Sequence, residues 1–112
     1  MPSEFLDHGG TRYAVQFTYA VPDDAWYVEL SEAVPAPASR ADIPDVLTHL
    51  PGPALLLAVV PDEDPTREPT ICVSTVGHRD IPFEVMRWYM EKVAEEVDRC
   101  RTALVENRRS DT

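Results

Sequence analysis

The stretch Arg12–Ser31, RYAVQFTYAVPDDAWYVELS, decides the fold of this chain. In Arg12–Val21, aromatic and β-branched residues alternate with smaller or polar ones, and the alternation resumes in Ala25–Ser31. A period of two residues is typical of a half-buried strand. Between the two runs, Pro22-Asp23-Asp24 favours a tight turn, because proline presets φ and aspartate tolerates the position that follows. The stretch therefore predicts an antiparallel β-hairpin.

The segments on either side of this hairpin have weaker patterns. Residues 1–10 show no periodicity, and we expect a loose lead-in that is closed by Gly9 and Gly10. After the hairpin, apolar residues at i, i+3, i+4 and i+7 predict a short helix. They are Ile43, Val46, Leu47 and Leu50. Asp42 is a suitable N-cap, and we expect Pro51-Gly52-Pro53 to end this helix.

The second half of the chain predicts two strands and a long helix. Ala54–Val60 is an unbroken apolar run, which is typical of a central strand, and Thr70–Gly77 follows a polar loop as another strand. We expect a helix from Asp80 or Ile81 to about Glu106, and a polar tail over 107–112. Its apolar stripe has alternating spacings of three and four residues, which suit a helix on a sheet and also a coiled-coil seam. The stripe comprises Phe83, Met86, Met90, Val93, Val97, Cys100 and Leu104.

The element order β-β-α-β-β-α predicts an α+β fold. We expect a four-stranded, mostly antiparallel sheet with the short helix and the long C-terminal helix packed on one face. A length of 112 residues provides for one hydrophobic core, so the whole chain is expected to be a single domain.

The charge of the chain restricts its partners. The net charge is −10, and most of the acidic excess precedes Thr70. Nucleic acids and anionic membranes are polyanions, so we expect neither to bind directly, whereas a basic protein surface is a compatible partner. No apolar run approaches the length of a membrane span, and the first ten residues lack a basic and apolar leader. We expect a cytoplasmic protein, and nine arginines beside one lysine suggest a bacterial source with a GC-rich genome.

Residue types that carry chemistry do not stand in catalytic or ligand spacing. His8, His49 and His78 lie in separate segments, so we predict no metal site and no cofactor. Cys72 and Cys100 fall within apolar patterns and are expected to be buried thiols. The sequence has no glycine-rich phosphate loop and no Gly-x-Ser-x-Gly motif. These features favour a protein that is not an enzyme.

The first half of the long helix is apolar on more than one side. Ile81, Val85 and Trp88 form a second face beside the main stripe, with Tyr89 between the two. Either both faces are buried, one on the sheet and one on the short helix, or the second face is an exposed patch for a partner. Tryptophan and tyrosine are common interface anchors. The candidate interaction residues are Val85, Trp88 and Tyr89, with an acidic rim of Asp23, Asp24, Asp62, Glu63 and Asp64.

The leading hypothesis is a non-enzymatic protein-interaction module such as an adaptor, chaperone, immunity-type inhibitor or regulator. A homodimer is expected because the sheet face without helices is only mildly polar; it carries Ala14, Gln16, Thr18, Tyr27 and Ser31. One alternative is an acidic mimic of nucleic acid that blocks a DNA-binding protein. Another is a small-molecule-binding domain or enzyme with a pocket between sheet and long helix. That pocket would be lined by Tyr13, Tyr19, Trp26 and Met86.

Overall fold

One antiparallel sheet and one long helix make up the fold. A computed structural model describes residues 3–35, 49–62, 64, 66–73 and 80–110. The described elements are β1 (Ser3–His8), β2 (Thr11–Ala20), β3 (Ala25–Pro35), β4 (His49–Pro61), β5 (Thr70–Val73) and α1 (Phe83–Ser110). The strands lie side by side in chain order, and every neighbouring pair is antiparallel. The predicted α+β class is confirmed, but the sheet has five strands rather than four.

The predicted hairpin is confirmed as β2 and β3. Its register pairs Val15 with Leu30 and Phe17 with Val28. A single 3-10 turn joins the strands, and Asp24 ends this turn in the left-handed region with φ 47°. The Asp24 amide donates a hydrogen bond to the Val21 carbonyl at 3.3 Å. Aspartate is one of the few residues other than glycine that adopts this backbone conformation readily.

The expectation of a loose lead-in was wrong, because residues 3–8 form β1. This strand pairs with β2 from Ser3 opposite Gln16 to His8 opposite Thr11. Gly9 and Gly10 make the connection with φ values of 56° and 83°. A two-residue hairpin turn of this kind needs positive φ at both positions, which glycine adopts without strain.

The predicted short helix is wrong at its C-terminal end. His49 and Leu50 belong to β4, and Pro51-Gly52-Pro53 continues that strand instead of ending a helix. Residues 42–48, which carry the rest of the prediction, lie outside the described residues. The β3–β4 register shifts on both sides of Ser31, and such irregularities are where a strand accepts proline. A Cβ atom on Gly52 would lie 2.7 Å from the Glu32 carbonyl oxygen, so glycine is required there.

The remaining elements differ from expectation mainly at their ends. The predicted strand Ala54–Val60 is confirmed within β4, and β5 covers Thr70–Val73, while 74–79 lie outside the described residues. Helix α1 begins at Phe83, and the Met86 amide bonds to the Pro82 carbonyl at 3.0 Å, so Pro82 does belong to the first turn. The helix continues to Ser110, so the first part of the expected polar tail is helical.

The core lies between α1 and one face of the sheet. It is formed by side chains of β2, β3, β4 and α1, with Leu6, Phe17, Trp26 and Trp88 packed at its margin. Its main members are Tyr13, Val15, Val28, Leu30, Leu56, Ala58, Val60, Val85, Tyr89, Val93 and Cys100. The register places Ala14, Gln16, Thr18, Tyr27 and Ser31 on the opposite face, as predicted. No helix in the described part of the chain lies on that second face.

Tyr89 anchors the helix to the sheet. Its side chain is fully buried, and its hydroxyl donates a hydrogen bond of 2.9 Å to the Val28 carbonyl oxygen. Burial raises the pKa of Tyr89 well above its ordinary value, so the hydroxyl keeps the proton that it donates.

Replacing Tyr89 with phenylalanine removes this hydrogen bond while keeping the ring. We expect Tyr89→Phe to lower the free energy of unfolding by about 1–2 kcal/mol, because a buried carbonyl loses a partner. Urea denaturation measures the difference. Tyr27→Phe is the matched control, since the Tyr27 hydroxyl bonds to Asp23 at the surface. Equal urea midpoints for the two variants would contradict an anchoring role for the Tyr89 hydroxyl.

Candidate interaction surface

Two of the three predicted helix contact residues lie in the core. Val85 and Tyr89 are fully buried, and Trp88 is partly buried against the core. Within the described residues, the second apolar face of α1 therefore packs largely against the core. A partner could reach part of Trp88 but neither Val85 nor Tyr89 in the folded chain. The role of these residues in binding stays a prediction, while their contribution to the core follows from their burial.

A different apolar surface lies along β5 and the adjacent side of α1. Val73 and Phe83 are each 74% exposed, and Ile71 and Met90 are also exposed. Ile71 and Val73 pair with the core residues Ala58 and Leu56, so they point to the helix side of the sheet. Ile71 and Met90 line one cavity between β5 and α1. Phe83 stands two helical turns before Met90 on the same stripe. We call these four residues the β5 edge surface.

The two edges of the sheet differ in how they are protected. At the β1 edge, Glu4 pairs with Lys92 at 3.1 Å and Asp7 pairs with Arg12 at 2.6 Å. Strand β5 has no charged residue, and all four of its residues are exposed. No described strand lies beyond it. Proteins usually protect an edge strand with charges, prolines or a covering element. The uncharged β5 edge is therefore the described edge that is better suited to pairing with another chain.

The structure brings the two halves of the predicted acidic rim together. The Asp62 amide donates to the Asp24 carbonyl at 3.0 Å, and Arg67 Nη1 donates to the Asp23 carbonyl at 2.8 Å. The β3–β4 register causes this contact, because it pairs Ala25 with Pro61. Glu63 lies outside the described residues.

Two hydrogen bonds fix the Asp64 carboxylate within this rim. Its Oδ1 atom accepts from the Thr66 hydroxyl at 2.6 Å and from the Thr66 amide at 2.9 Å. These bonds lower the pKa of Asp64, chiefly through the hydroxyl. The carboxylate is therefore ionised at neutral pH and has a defined position in the loop.

A cavity of about 290 Å³ opens beside the acidic rim, between the second half of α1 and the β4–β5 loop. Apolar side chains form most of its wall, and acidic and basic side chains stand at its border. We call this cavity the α1–loop groove. Its apolar wall includes Val60, Val97, Cys100 and Val105, and its border includes Asp62, Asp64, Arg67 and Arg101.

The other side of α1 carries a charged and aromatic cluster. The Arg99 guanidinium carbon lies 4.8 Å from the Trp26 ring centroid, and the Tyr19 and Trp26 rings are 5.2 Å apart. Arg99 also pairs with the carboxylate of Glu96, a residue that is only 7% exposed. This contact raises the pKa of Arg99. A buried carboxylate needs such a partner, because desolvation alone would disfavour its charge. The cluster therefore satisfies its own charges.

The residues that the sequence suggested for a small-molecule pocket lie in different surroundings. Tyr13 is 6% exposed in the core, and Met86 packs against the core. Trp26 instead lines a cavity with Glu4, Phe17, Glu96 and Arg99. Among the described residues, no three side chains of histidine, cysteine, aspartate or glutamate are grouped to hold a metal ion. None of the described helical residues form a segment long and apolar enough to cross a membrane.

The two cysteines have different environments. Cys100 is buried as predicted, whereas Cys72 is exposed, so the prediction for Cys72 was wrong. Cys72 lies on β5, the edge strand, and the register points it to the face opposite α1. Burial, with a smaller contribution from Glu96, raises the pKa of the Cys100 thiol to about 11. Since the thiolate is the reactive form, Cys100 is a poor nucleophile at neutral pH.

Comparison with protein-family models, with curated proteins and with solved structures finds no match to this chain.

The thiol environments give a direct test of the helix position. We expect a thiol reagent at pH 8 to modify Cys72 rapidly and Cys100 only after denaturation, because Cys100 is both inaccessible and protonated. Titration with a chromogenic disulfide counts the reactive thiols in native and in denatured protein. The variants Cys72→Ser and Cys100→Ser identify which thiol reacts. Two equally fast thiols in the native protein would show that α1 does not bury Cys100.

Proposed function

We infer that this protein is a non-enzymatic interaction domain and that it works as a homodimer joined through the β5 edge surface. The observation that carries this proposal is the combination of an uncharged edge strand, exposed at all four residues, with an apolar stripe on the adjacent helix. Each feature is unusual on a free surface, and here Ile71 of the strand and Met90 of the helix line the same cavity.

A dimer with its two-fold axis beside β5 would cover both the uncharged edge strand and the apolar stripe on the helix. Two copies of β5 would pair in antiparallel orientation and join the two sheets into one. Ile71 and Val73 point to the helix side, so the two α1 helices would lie on the same face and bring Phe83 and Met90 of each copy toward the axis. Such an interface is isologous, with the same surface contributed by each copy, which is the commonest arrangement in soluble oligomers.

Electrostatics agree with this choice of surface. Each chain carries a net charge of −10, so two copies repel each other at long range. Strand β5 has no charge, which allows contact without placing carboxylates opposite one another. Added salt screens the repulsion and does not weaken apolar contacts. The dimer should therefore persist or strengthen as salt rises, whereas an assembly held by ion pairs would weaken.

Light scattering on a sizing column tests the dimer and its location. We expect the native protein to have twice the chain mass of 12.6 kDa at both low and high salt. Val73→Lys should convert it to a monomer, because each copy would place a lysine charge within the apolar interface. The matched control is Val21→Lys, since Val21 is 70% exposed on the β2–β3 turn and far in sequence from β5. A monomeric native protein, or a dimer that survives Val73→Lys, would refute the proposed interface.

Cys72 offers an independent test of strand pairing. In an antiparallel pair of β5 strands, the two Cys72 side chains would lie within roughly 10 Å of each other. A short bismaleimide should therefore join two chains covalently, and Cys72→Ser should abolish the product. Cys100 cannot replace Cys72, because it is buried. Efficient crosslinking that persists in Val73→Lys would indicate random collision rather than a paired edge.

A further inference from the structure

The α1–loop groove combines an apolar wall with an acidic border. Val105, on α1, is 49% exposed at the edge of the groove, and Val97 and Val60 lie deeper inside the groove. The space of about 290 Å³ is large enough for one or two bulky apolar side chains. The groove lies toward the C-terminal half of α1, whereas Phe83 lies at the start of the helix. Pro69, Val97 and Arg101 line both the groove and the cavity between β5 and α1, so the two surfaces adjoin.

The charges around the groove select the partner. Asp62 and Asp64 border it, and the contact of Asp62 with Asp24 places the Asp23–Asp24 turn beside them. Arg67 and Arg101 also border the groove, but Arg67 is already engaged with the Asp23 carbonyl. Four carboxylates therefore stand near three guanidinium groups at this end of the sheet, because Arg99 also interacts with Asp62. Together with the net charge of −10, this favours a cationic partner.

We propose that the α1–loop groove binds an amphipathic segment of a partner protein that inserts apolar side chains against Val97 and Val105 and places lysine or arginine beside Asp62 and Asp64. This inference rests on the proposed role as an interaction domain and specifies the partner's chemistry. Apolar insertion supplies affinity, and the flanking charges orient the segment and raise its rate of association. A polyanion such as nucleic acid is excluded by the same charges.

A synthetic peptide can serve as the probe. We suggest a fluorescent helical peptide of about 14 residues, four turns, with a leucine stripe and lysines elsewhere. Fluorescence anisotropy with the native protein should give a dissociation constant in roughly the micromolar range. A peptide with the same leucines and glutamate in place of lysine should not bind. A lysine-rich peptide without leucine should bind at least tenfold more weakly.

A pair of valine variants separates insertion into the groove from simple charge attraction. Val105→Asp and Val34→Asp add the same charge at valines of similar exposure, one at the groove and one at the end of β3 that lies away from the Asp23–Asp24 turn. We expect Val105→Asp to weaken the leucine–lysine peptide at least tenfold, while Val34→Asp leaves binding equal or slightly tighter. Asp62→Asn should weaken binding a few-fold and reduce its salt dependence. Circular dichroism checks that each variant stays folded.

The possible failures are distinguishable. Tighter peptide binding by both aspartate variants would show attraction by net charge alone and would overturn the groove as a site. Absence of binding by the native protein would overturn it as well. Light scattering on the same samples reports the dimer separately, so a dimer that binds no peptide would refute only the proposed peptide site in the groove. A monomer that binds the peptide with the expected variant effects would refute only the proposed β5 interface.

Discussion

The packing of Tyr89 against the middle of the sheet is the contact on which the rest of the structure depends. It fixes the rotation of α1 about its axis, so that Val85, Tyr89 and Val93 point toward the sheet. The hydrogen bond from the Tyr89 hydroxyl to the Val28 carbonyl holds the helix on the central strands. Once that rotation is set, the environment of every other side of the helix is determined as well. Met90 and Val105 are left at the surface, and Arg99 is directed to Trp26.

A single helix cannot cover a sheet of five strands. An α-helix with its side chains is about 10–12 Å wide, whereas neighbouring strands are spaced about 4.8 Å apart, so one helix covers two or three strands. Here the core residues of the sheet come from the central strands β2, β3 and β4. Strand β5 lies at the margin of the helix, with a cavity between the two, and its apolar residues Ile71 and Val73 are exposed. The exposed edge is thus a geometric consequence of the fold, and an apolar composition there requires a separate explanation.

The sequence predicts those features that depend on local periodicity. Apolar residues recur every two positions in the hairpin and every three or four positions in the long helix, and both elements are confirmed. Strand β1 was missed because SEFLDH alternates charged and apolar residues on both faces, although Gly9-Gly10 was a usable turn signal. The start of β4 was missed because two prolines resembled a helix stop. Helix rotation could not be predicted, since apolar residues surround the first turns of α1, and the closeness of Asp24 to Asp62 depends on non-local strand pairing.

The difference between the two sheet edges also bears on the size of the assembly. Pairing of β5 with β1 of another copy would be heterologous and could continue into a fibre. The charged Glu4 and Asp7 on β1 oppose this, because pairing would bring them against an apolar strand and remove water from them. Pairing of β5 with its own copy consumes both uncharged edges and leaves two charged ones outside. If the protein pairs through β5 as proposed, the same asymmetry that exposes one edge would limit association to two chains.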